Sequence, residues 1–159
     1  MFGLFKSTPY RDPQLGALVR ARGHWRGSIT VSAGSTVPLA LSGTRTGPDA
    51  LALQAAREVA TRYPQWHPTI ESALFEHVRP YVEARAPGDL PPPREPVPSI
   101  EIPRQVWPHV SLAFVSVTPL DGVLTTELGY TTVWDEEHTL GARFQAGRFI
   151  ELCGSVLPA

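Results

Sequence analysis

Alternating apolar and polar positions occupy both ends of the chain, and a helical period fills the middle. Residues 25–31 and 36–41 read as two strands joined by Ala33-Gly34-Ser35, and residues 15–19 offer a short extra pairing segment. Pro38 lacks a ladder donor, so the second strand is expected at an edge or with a bulge. Residues 1–14, broken by Pro9 and Pro13, are expected to form an irregular arm.

The period then changes. Thr46-Gly47-Pro48-Asp49 fits a capping-box start, and Leu53, Ala56, Ala60 and Tyr63 share one helical face. Tyr63-Pro64 is expected to end this helix. A second starts near His67-Pro68, with Ile70, Leu74, Val78, Tyr81 and Val82 as its stripe and a kink or stop at Pro80. Two helices so closely joined predict an antiparallel αα-hairpin. Eight prolines between 86 and 108 predict a stiff extended connector, a reading preferred over an SH3-type ligand at Pro93-x-x-Pro96.

Alternation returns in the last third. Strands are expected over 109–118, 123–134, 138–144 and 148–153, with hairpin turns at Asp121-Gly122 and Gln145-Ala146-Gly147. The fold class expected is α+β, an antiparallel sheet of about six strands with a central αα-hairpin packed on one face. With 159 residues, a single domain spanning 1–159 is expected.

Composition narrows the function classes. The apolar share of 42% is that of a folded globular chain. No run reaches the roughly 18 apolar residues of a membrane span, and the start breaks at Lys6 before a secretory h-region forms. A lone Cys153 forms no internal disulfide, so the expected location is a reducing cytoplasm. Thirteen Arg against one Lys match the codon usage of a GC-rich genome. Net charge is −1 but uneven, +5 over residues 1–45 and −4 over 99–159. Arg20, Arg22 and Arg26 beside Trp25 are too few to predict nucleic-acid binding at this neutral balance.

The densest candidate chemistry is Trp134-Asp135-Glu136-Glu137-His138, three carboxylates and an imidazole in one bend. Adjacent carboxylates repel, so they are cheap only when solvated or when a cation sits among them. A carboxylate beside His138 would hold its ring proton, which suits a general base, a metal ligand or a structural tie. The histidines at 24, 67, 77, 109 and 138 lack the close spacing of a metal helix, so no metal and no cofactor is expected. Phosphate loops, G-x-S-x-G and C-x-x-C are missing, and a Cys153–His138 pair lacks readable oxyanion donors. Trp134, Asp135, Glu137, His138, His109 and Trp25 are therefore the candidate binding residues, with no catalytic residue assigned.

Two patches carry a resemblance. Asp12-Pro13-x-Leu15-Gly16-x-Leu18 with Trp25-x-Gly27, and Trp134-Asp135-x-Glu137-His138-x-Leu140-Gly141 with Phe144, Gly147 and Glu151, resemble a family of small uncharacterised bacterial domains. The second patch is also similar to the Glu-His-x-x-Gly endings of domains that resemble immunity or partner-binding proteins. The resemblance implies a bacterial cytoplasmic domain that binds rather than catalyses. A protein partner is the expected binding partner, with homodimerisation through an open sheet edge as a further reading. The rival expectation is a small hydrolase or metal-dependent enzyme centred on Asp135, Glu137, His138 and His109.

Overall fold

The computed structural model describes residues 7–32, 34–84 and 98–159. Its strands are β1 (Tyr10–Asp12), β2 (Gly16–Ala21), β3 (His24–Ser32), β4 (Ser35–Leu41), β5 (Gly43–Thr44) and β6 (Gly47–Pro48). One long helix, α1 (Ala50–Glu83), follows, and then a 3₁₀ helix at Pro103–His109. The last strands are β7 (Val110–Leu120), β8 (Val123–Thr132), β9 (Thr139–Gln145) and β10 (Arg148–Val156). Eight strands form one sheet in the order β1-β2-β3-β4-β7-β8-β9-β10, and β5 pairs with β6 alone.

This overturns the expected αα-hairpin and the six-strand antiparallel sheet. The helix runs for 34 residues through Pro64, Pro68 and Pro80. Each proline removes one bond to the carbonyl four residues earlier. All three prolines are exposed, so water can serve the freed carbonyls. Meanwhile Val59, Trp66, Ile70, Leu74 and Val78 keep a buried stripe in phase across the breaks. Burial of that stripe outweighs the lost bonds, and no second helix is started.

The single helix also explains the mixed sheet. A helix pair would return the chain to the side it left, and the next strand would run antiparallel. One uninterrupted helix delivers it to the far side, and β4 and β7 pair parallel over Leu39–Leu41 and Val115–Val117. Pro38 therefore lies inside the sheet's order rather than at its edge, but pairing with β7 begins only one residue later.

Other expectations change locally. Tyr10–Asp12 is not irregular but pairs with β2. The proposed capping box is absent: Asp49 stands at the helix N-cap without a side-chain bond, and the Thr46 hydroxyl meets that of Thr44 at 2.8 Å. Of the expected connector, residues 86–97 lie outside the described residues, and 103–108 form the 3₁₀ helix rather than an extended run. The turns at Asp121-Gly122 and Ala146-Gly147 form as expected, with positive φ at both residues of each pair.

The core lies between α1 and the sheet face carrying Trp25, Leu39, Leu41, Val115, Val117, Leu128, Tyr130, Leu140 and Phe144. Trp66 stacks on Phe144 at 4.0 Å and donates to the Gly147 carbonyl at 3.1 Å. The reverse face of the central strands is covered too. The Phe114 ring lies over Gly129, where a Cβ would sit 2.1 Å from it, so only glycine fits. Arg143 bridges Glu127 at 2.6 Å and Glu151 at 2.8 Å across β8, β9 and β10.

Candidate functional site

The β8–β9 connection packs against the C-terminal half of α1. Trp134 is buried, Asp135 half-buried, and Val133, Glu136, Glu137 and His138 are exposed. The bend thus stands at the sheet margin with its two glutamates in water, which relieves their mutual repulsion.

Four side-chain bonds fix this bend. The Thr132 hydroxyl accepts the Asp135 N–H at 3.2 Å, a local closure typical of threonine turns. The Asp135 carboxylate accepts the Tyr81 hydroxyl at 3.0 Å. The same carboxylate meets His138 Nδ1 at 2.8 and 3.1 Å through its two oxygens. The Trp134 indole N–H donates to His77 Nδ1 at 3.1 Å. His77 and Tyr81 stand one helical turn apart on α1, so a single face of the helix meets the turn. Their rings stack with centroids 5.7 Å apart.

Electrostatics follow from these contacts. Burial works against the charged form of Asp135, but the bonds from His138 and Tyr81 and the nearby imidazoles outweigh it. Its carboxyl is held below the usual range. Burial pushes His77 down, partly offset by the Asp135 charge and reinforced by His138. Burial, then the bond to Asp135, pushes the Tyr81 hydroxyl up. Because His77 Nδ1 accepts the indole proton, its own ring proton sits on Nε2. His138 is oriented oppositely: Nδ1 carries the proton toward Asp135, and Nε2 has no bonding partner among the described residues.

The sequence candidates fare differently. Trp134, Asp135 and His138 are brought together, and Glu137 stands exposed beside them. His109 lies at the same end of the sheet, its carbonyl accepting the Val133 N–H at 3.0 Å, but its imidazole makes no bond to the cluster among the described residues. Trp25 is elsewhere, fully buried in the core with its indole N–H on the Thr44 carbonyl at 2.8 Å. Among the described residues no three His, Cys, Asp or Glu side chains converge to hold a metal ion. Cys153 is a half-buried free thiol whose sulfur lies 3.6 Å from the Ser155 carbonyl.

Sequence reasoning missed His77 and Tyr81 as members of this site. Their separation of four residues was the available signal, because it puts both rings on one helical face. A second aromatic seam lies earlier on the same helix. His67 stacks on Trp107 at 4.1 Å, and the Trp107 indole donates to Glu71. The Tyr63 and Tyr130 hydroxyls meet at 3.2 Å, and burial pushes the Tyr130 hydroxyl far up. The Trp107 contacts fasten the 3₁₀ helix to α1, and the tyrosine pair ties α1 to β8.

Among the described residues no helix is long and apolar enough to cross a membrane. No curated protein and no solved structure matches the chain. A family model does match, over residues 15–156, from β2's neighbouring turn to the last residue of β10. The chain belongs to the family described as Domain of unknown function (DUF6985).

Proposed function

We propose that this chain is a non-enzymatic, immunity-like binding domain of the bacterial cytoplasm, which presents the β8–β9 turn to a basic surface on a protein partner. One observation carries the reading. The turn is held by Thr132, Tyr81 and His77, yet Val133, Glu136, Glu137 and His138 remain exposed. A surface ordered before contact loses little entropy on binding, and its carboxylates steer a cationic partner.

The test is affinity capture from the source cell at two salt concentrations, with the natural chain and with Glu136→Lys/Glu137→Lys. A protein retained by the natural chain, weakened by salt and lost with the charge-reversed variant is the expected result. Equal retention by both chains, or no retained protein at all, contradicts the reading.

A second reading has its own support. An Asp135 carboxylate behind His138 Nδ1 leaves Nε2 able to take a proton, the arrangement of a general base. Such a hydrolase would lose nearly all turnover of ester, amide and phosphoester substrates in His138→Gln. Activity absent from the natural chain, or untouched in the variant, removes it.

A further inference from the structure

One of the two side-chain bonds that join α1 to the turn depends on the protonation state of a single group. The Trp134 indole nitrogen is only a donor, and it lies 3.1 Å from His77 Nδ1. A neutral imidazole can accept there; an imidazolium carries an N–H on both nitrogens and cannot. Trp134 is only 6% exposed, so its indole N–H has little access to water once this partner is lost.

We propose that His77 and Trp134 form a protonation-controlled latch between α1 and the β8–β9 turn, closed while His77 is neutral and released when Nδ1 takes a proton. The groups facing His77 among the described residues are Asp135 and His138 from the turn and Tyr81 from its own helix. Asp135 favours a proton on His77, but its oxygens are already engaged by the Tyr81 hydroxyl and His138 Nδ1. A protonated His138 opposes a second positive charge beside it. Burial opposes that charge as well and is the larger influence, so the neutral, accepting form is favoured in the closed joint. The latch contributes in full above the ordinary histidine value, about 6.5, and is lost as pH falls through His77's lower value. The device follows from contact geometry and holds whatever the turn binds.

Nitrogen-15 NMR of the imidazole and indole groups in the natural chain, from pH 8 to pH 5, tests it. The expected result is a His77 midpoint below about 6.5, with the Trp134 indole N–H signal moving at the same midpoint and exchanging at least about tenfold faster below it. His77→Gln keeps a carbonyl acceptor without a titrating proton, and the Trp134 signal should then stay fixed. His138→Gln removes the neighbouring charge, and the linked transition should persist with its midpoint raised. A Trp134 signal that does not move in the natural chain overturns the latch. So does one that titrates unchanged in His77→Gln or loses its transition in a folded His138→Gln.

Discussion

Asp135 concentrates the chemistry of the turn on a single carboxylate. It accepts from Tyr81 on the helix and from His138 in its own bend, while the neighbouring glutamates are exposed and make no such contacts among the described residues. A bond to a charged acceptor is among the stronger ones, so Tyr81→Phe should cost about 1–2 kcal/mol in urea unfolding. A loss below about 0.3 kcal/mol would mean that the hydroxyl is equally well served by water. At this scale the sequence was half legible. The bend, its carboxylates and its imidazole could be read from Trp134 to His138, because adjacent residues in a tight turn must share space. The helical partners could not, because which face of α1 meets which turn depends on tertiary packing. Trp25 misled for the same reason: an indole on a strand faces either a groove or the core, and here it faces the core.

At the scale of elements, α1 shows how a buried stripe prevails over a local breaker. Each proline argues for an end, yet Val59, Trp66, Ile70, Leu74 and Val78 continue in phase through Pro64 and Pro68. That phase was present in the sequence and was the better guide. Pro64 is exposed, and alanine there would restore a donor to the helix interior at little cost in packing. Pro64→Ala should therefore raise stability by about 1 kcal/mol or more in thermal or urea unfolding. Destabilisation instead would mean that a bend at this point fits the helix to the sheet. The hairpins at Asp121-Gly122 and Ala146-Gly147 were legible because each turn's second residue needs positive φ and is a glycine, with Asp121 also a residue that tolerates it. The 3₁₀ helix was hidden by Pro103 and Pro108, which tolerate helical and extended backbone alike.

For the whole molecule, a single helix among the described residues, in place of the expected pair, decided the topology. The parallel pairing of β4 with β7 follows from one traverse of the sheet instead of two, and no local pattern in either strand encodes it. The N-terminal strand is fastened by Asp12, whose buried carboxylate accepts from Arg57 on α1 and from the Gln14 and Leu15 amides at 2.9 Å. The bond from Arg57 outweighs burial and, with the two amides, holds this carboxyl below its usual range. Asp135 is displaced the same way. A carboxyl lowered by folding stabilises the chain above its unfolded value, about 3.9, and that contribution is lost as pH falls through the folded one. Acid unfolding should thus proceed chiefly below pH 4, after a smaller loss from His77 that begins as pH falls below about 6.5. Arg57→Ala should move the acid midpoint to higher pH, as followed by circular dichroism, and an unmoved midpoint would show that Asp12 does not tie β1 to the helix.

Central to all of this is a turn ordered in advance by the helix beneath it. Amide hydrogen exchange at Val133 and Asp135 measures that order directly, since these N–H groups are held by the His109 carbonyl and the Thr132 hydroxyl. Slow exchange is expected at both in the natural chain near neutral pH, and at least about tenfold faster exchange in Tyr81→Phe/His77→Ala, roughly the effect of losing 1.4 kcal/mol of local stability. Exchange at the unprotected rate in the natural chain, or equal protection in the double variant, would contradict it.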